Sequence, residues 1–182
     1  MNLENNQEFF AEGLRSYMDA MLALGQFCQE VKKKADRVLT SNLEELERAL
    51  GVPLKDQTQE IYVNPRSPTS FSETWAWIAT RLSAPQFKSV LFGLAWEEVD
   101  SEIVPFVVGG FWFKNAADRD RAKQALGGDN ALLEDGSGFY LRERLTPKEA
   151  ASFEKKLEYI LNKWIKLWRG AGGLRGAEAG HS

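Results

Sequence analysis

Phe10, Leu14, Tyr17, Met21, Leu24, Cys28, Val31, Ala35 and Val38 follow one another at alternating spacings of four and three. That heptad rhythm marks a helix that buries one stripe along its length. No other feature constrains the fold as much. A helix over these positions alone is about 43 Å long at about 1.5 Å per residue. A domain of 182 residues has a radius of gyration of about 16 Å. The helix therefore spans the whole body or overhangs it.

The stripe changes character along its length. Before Cys28 it is widened by Phe9, Met18, Leu22 and Phe27. After Cys28 only Val31, Ala35 and Val38 remain, beside Lys32, Lys33 and Lys34. On that contrast the first half is expected inside a core and the second half is expected to keep an open face. Val31, Lys34, Ala35 and Val38 are then the expected binding residues, for a protein partner or for self-association through this helix.

Beyond the stripe, Ser41-Asn42-Leu43-Glu44 can cap a second helix ended by Gly51 and Pro53. Ile61-Tyr62-Val63 reads as a short strand and 64–70 as a Pro/Ser loop. Ser70-Phe71-Ser72-Glu73 has capping-box spacing and opens a predicted helix through Trp75, Ile78 and Leu82. Lys88–Trp96 and Ile103–Lys114 read as strands. The second is apolar on both faces, which predicts helices on both sides of the sheet. Asn115 caps a predicted helix over Ala116–Leu126, stopped by Gly127-Gly128. Gly138–Arg144 reads as an edge strand with Phe139 and Leu141 inward. Thr146-Pro147-Lys148-Glu149 starts a last helix carrying Phe153, Leu157, Ile160, Trp164 and Leu167.

The expected architecture is one α+β domain over residues 1–169. It has a helical segment 7–50, a core 60–145 and a C-terminal helix 147–169. The core holds a small antiparallel sheet of about three to four strands covered by helices. The Gly/Ala-rich tail, 170–182, is expected to be flexible.

Chemistry is constrained mainly by exclusion. With 1 Cys and 1 His, no intrachain disulfide forms, and a Cys-His or Ser-His-Asp site would need His181 from the tail. Zinc lacks ligands. Gly109-Gly110, Gly127-Gly128 and Gly136-Ser137-Gly138 match no phosphate loop. No cofactor or metal is expected. Net charge is −3, so a global basic field for nucleic acid is absent. The opening MNLENNQEFF lacks the basic start of a secretory signal, and no apolar run approaches the roughly 20 residues of a membrane span. A cytoplasmic address without membrane contact is expected.

Three constellations remain. Glu97, Glu98, Asp100 and Glu102 are candidate catalytic residues, since carboxylates at a strand end can hold Mg²⁺. The order helix, strands, helix, strand is similar to the restriction-endonuclease-like core of PD-(D/E)XK nucleases. That resemblance implies an acidic residue and then Glu/Asp-x-Lys on the next strand. This chain departs from it: Trp112 stands two residues before Lys114, and the triplet Glu154-Lys155-Lys156 lies on a predicted helix. Trp75, Trp77, Trp96 and Trp112 are candidates to line a pocket for a planar ligand, as in a small-molecule sensor. Lys155, Lys156, Lys163, Lys166 and Arg169, with Trp164 and Trp168 interleaved, form the one side where nucleic acid contact would fall. The same tryptophans fit a core stripe.

The leading expectation is a non-enzymatic protein that binds another protein or macromolecular complex, as an inhibitor, adaptor or immunity-type protein. The long stripe and the 6 Trp and 11 Phe available as anchors support it.

Overall fold

One uninterrupted helix, α1 (Leu3–Leu50), carries the whole seam. At 48 residues it is about 72 Å long. The expected break before Ser41 is absent. Ser41 Oγ donates to the Arg37 carbonyl at 3.0 Å and Asn42 Nδ2 to the Val38 carbonyl at 2.8 Å. Both side chains bond back to the preceding turn, so neither caps a new helix. Leu39, Leu46 and Leu50 continue the buried stripe. Gly51, at φ 75, ends the helix with its amide 2.8 Å from the Glu47 carbonyl.

The computed structural model describes residues 3–64, 75–100, 102–127, 132–146, 148–149 and 152–174, without the side chains of 3–8, 56–64, 75, 76, 98 and 103. Of the loop expected at 64–70, Asn64 belongs to the first strand and the rest lies outside the described residues, as do the capping pattern at 70–73 and His181.

Six strands follow among the described residues: β1 (Lys55–Asn64), β2 (Trp75–Ser83), β3 (Phe87–Val99), β4 (Glu102–Phe113), β5 (Leu133–Asp135) and β6 (Gly138–Arg144). They form one antiparallel sheet in the order β1-β2-β3-β4-β6-β5. The class is α+β as expected, with more strands than expected. The predicted helix through Trp75, Ile78 and Leu82 is a strand. Within the same stretch Ile78, Thr80 and Leu82 alternate with Trp77, Ala79 and Arg81 at period two, and pairing with β1 and β3 on both sides decides for that period. β6 is not an edge, because the short β5 pairs beyond it.

The register separates two faces. Val90, Phe92 and Leu94 of β3 stand beside Phe111, Gly109 and Val107 of β4, and Phe139 and Leu141 of β6 extend the same face inward as expected. The buried residues of all three helices join one cluster with this inner face. The helices are α1, α2 (Ala116–Leu126), capped by Asn115 as expected, and α3 (Glu154–Gly170). Among the described residues the outer face carries no helix, which corrects the expectation of helices on both faces. On the outer face Leu91 and Phe106 are buried, and the Arg142 guanidinium lies 4.6 Å from the Phe106 ring centroid.

Gly109 decides how closely α3 approaches. A Cβ there would sit 2.6 Å from the Phe92 ring and 2.8 Å from Ile160. Without one, the Trp164 indole packs 4.6 Å from Phe111 and its Nε1 donates to the Gly109 carbonyl at 2.8 Å. That buried bond satisfies two groups that burial removes from solvent.

Helix α3 runs parallel to the second half of α1. Lys34 pairs with Glu154 at 3.7 Å near one end, and Arg169 with Glu45 at 2.7 Å near the other. Past α3 the described chain continues to Leu174, which is buried. The last helix also starts later than expected. Thr146 and Glu149 form a turn of their own, in which the Thr146 amide and hydroxyl donate to Glu149 Oε2 at 2.9 and 2.8 Å.

These two bonds, with Lys156 beside them, hold the Glu149 carboxyl at about 2, below its ordinary value of 4.5. A depressed carboxyl stabilises the fold above its unfolded value and loses that contribution as pH falls through the folded one. The wild type should melt higher than Glu149→Gln at pH 7. In thermal melts the gap should begin to close below pH 4.5 and vanish by about pH 2.

Candidate functional site

The seam passes from solvent into the core at Cys28. From there Cys28, Val31, Ala35 and Val38 are buried by their own chain, Val31 and Ala35 to 3% and 1% exposure. The expectation of an open face at Val31, Lys34, Ala35 and Val38 is corrected. Small side chains at this end of the stripe let α1 seat closely on the sheet and on α3. The neighbouring lysines are also engaged. Lys34 pairs with Glu154 and stands over the Phe153 ring, while Lys32 pairs with Asp36, which accepts a hydrogen bond from Thr80 at 2.9 Å.

The other half of α1 is the exposed one. Phe9 and Phe10 are 79% and 74% exposed, and Leu14, Tyr17, Met18, Met21, Leu22, Leu24 and Phe27 are all exposed as well. At about 100° per residue these nine side chains sweep an arc of about 220°. Glu12, Arg15, Ser16, Asp19 and Gln26 fill about 100° on the opposite side. Together the nine expose on the order of 1,000 Å² of largely apolar surface. The largest apolar patch on an ordinary monomer is about 300–600 Å².

The root of this projection is fixed. Phe27 meets Trp96 edge to face at 5.8 Å, where β3 approaches its turn into β4. The projecting helix therefore leaves the body from an aromatic contact, with its seam on the side where the body stands.

The described carboxylates of the β3–β4 turn, Glu97, Asp100 and Glu102, are each engaged or exposed separately. Glu97 pairs with Arg142 on the outer face. Asp100 sits in the turn at φ 52, a left-handed conformation that Asp tolerates, and both Asp100 and Glu102 are exposed. The side chain of Glu98 lies outside the described residues. Among the described residues no group of three His, Cys, Asp or Glu is placed to hold a metal ion. Beside the pair, burial and then the Glu97 charge push the Tyr140 hydroxyl up from its ordinary value.

The tryptophans are divided as well. Trp96 shares the inner side of β3 with Phe92 and Leu94. Trp112 lies on the outer side, stacked at 11° on Tyr140 with its Nε1 donating to Asp135 at 3.3 Å. The sheet stands between them, so one pocket cannot contain both. The side chain of Trp75 lies outside the described residues. Trp164 and Trp168 are fully buried, which corrects their reading as a stacking platform for bases. Of the basic side, Lys156 binds the Arg144 carbonyl at 2.6 Å and Arg169 binds Glu45, whereas Lys155 and Lys166 are exposed.

Comparison with protein-family models, with curated proteins and with solved structures gives no match for this chain. Among the described residues no helix is long and apolar enough to cross a membrane.

One stripe thus has two environments, and substitutions should separate them. Val31→Asp buries a charge and should cost at least about 3 kcal/mol. Leu14→Glu should change stability by less than about 0.5 kcal/mol. Urea denaturation at nanomolar protein concentration checks both. Equal effects would show that the projecting half packs on its own body.

Proposed function

We propose that this protein works by binding protein through the projecting half of α1, with the α+β body as the rigid mount that holds the helix out. The observation that carries the reading is the 220° apolar arc on residues 9–27, exposed on a helix whose continuation is core. A helix apolar over most of its circumference is stable in water only when something covers it. At about 25 cal/mol per Å², covering half of the arc contributes about 12 kcal/mol, against about 4–15 kcal/mol lost on association. The covering surface buries apolar area of its own as well, so a complex that covers half of the arc or more is tight, as with a helix pair, a helical bundle or a deep groove. The few charges on the polar side, Glu12, Arg15 and Asp19, favour a protein surface over an anionic lipid one, which selects Lys and Arg.

A photo-reactive phenylalanine placed at Tyr17 in the full chain, in its native host, tests the reading. It should form a protein adduct in high yield. The same group at Tyr159, exposed on α3, should give none. No adduct from position 17, or equal yields from both positions, would contradict the proposal.

A further inference from the structure

We propose that the occupant of the projecting seam is a second copy of this chain, with the two α1 helices antiparallel and Phe10 of each facing Met21 of the other. This rests on the reading of the projection as a protein-binding surface and adds to it the identity of the partner.

Three observations lead there. First, the seam is self-complementary. Leu14 and Met21 occupy one core position of the heptad, Phe10 and Tyr17 the other. In an antiparallel pair these two positions face each other across the interface.

Second, the body excludes the parallel arrangement. The stripe that faces out before Cys28 faces the protein's own sheet from Cys28 onward. The body therefore occupies the seam side below that point. A parallel pair about a two-fold axis would place both bodies in the gap between two helices about 8–10 Å apart. An antiparallel pair sends the bodies to opposite ends.

Third, the same obstruction sets the register. The described helix runs from Leu3 and its seam is covered from Cys28. Full overlap sets position 3 opposite position 28, which brings Phe10 opposite Met21 and Leu14 opposite Tyr17. A shift of one heptad toward the body drives the second helix into the sheet. A shift away from it uncovers part of the seam. In the overlapped register Gly13 stands beside Ala20, so small residues line the close approach and no like charges oppose each other there. The seam and its flanks offer on the order of 1,000 Å² per copy, against about 800 Å² per partner in a standard interface.

Disulfide trapping in the full chain tests both partner and register. In a Cys28→Ala background, Phe10→Cys and Met21→Cys are introduced together, both at exposed positions off the body. Mild oxidation should convert most of the chain to a covalent dimer, and peptide mapping should join position 10 to position 21. Either cysteine alone should give less than about a tenth of that yield, and Leu14→Glu should weaken association of the unmodified chain at least about 100-fold. Linkage of 10 to 10 would overturn the antiparallel geometry. A chain that stays monomeric and forms no covalent dimer would overturn self-association. If position 17 then captures a different protein in the host, the binding reading stands and only the second copy is wrong. If it captures nothing, both fail.

Discussion

The structure depends on a mismatch of lengths. A helix of 48 residues is about 72 Å long, and a body of this chain's size is about 40 Å across. About 30 Å of helix has nothing of its own chain to lie on, which is the length of residues 9–27 at about 1.5 Å per residue. No rearrangement of the body removes that overhang while α1 stays continuous. It stays continuous because Ser41 and Asn42 bond back into it and Leu39, Leu46 and Leu50 keep its stripe in the core.

What anchors the covered half is equally specific. Gly109 gives up its side chain so that Trp164 and Ile160 of α3 reach β4, and α3 in turn holds α1 through the Lys34–Glu154 and Arg169–Glu45 pairs. The ion pairs are partly exposed and contribute little each. Their value is positional: they set α3 alongside α1 while the apolar cluster supplies the stability. The body is therefore a stiff seat for a long lever.

The seam was legible in the sequence, but its owner was not. A heptad rhythm reports that one face is covered, whether by the same chain or by another. Width was the misleading signal. Phe9, Leu22 and Phe27 made the first half look like core, yet bulky residues around most of a helix suit enclosure by something larger than one sheet face. Val31 and Ala35 looked like a weak remnant, yet small residues are what close seating on a sheet requires. Lys32 and Lys34 looked solvated because their partners, Asp36 and Glu154, are set by helix geometry and tertiary packing. Likewise Trp75–Ser83 carried both a helical and an alternating pattern, and only the neighbouring strands choose between them. The strands β3 and β4, the Asn115 cap and the inward Phe139 and Leu141 were readable because each depends on local order alone.

Amide hydrogen exchange along α1, followed as a function of protein concentration, separates its two halves. Strong protection is expected over 31–50 at every concentration. Over 9–27 near-random exchange is expected at nanomolar concentration, with protection that grows as the chain associates. Equal protection of both halves in the isolated monomer would contradict this division of the helix, as would a 9–27 segment that stays unprotected under every condition.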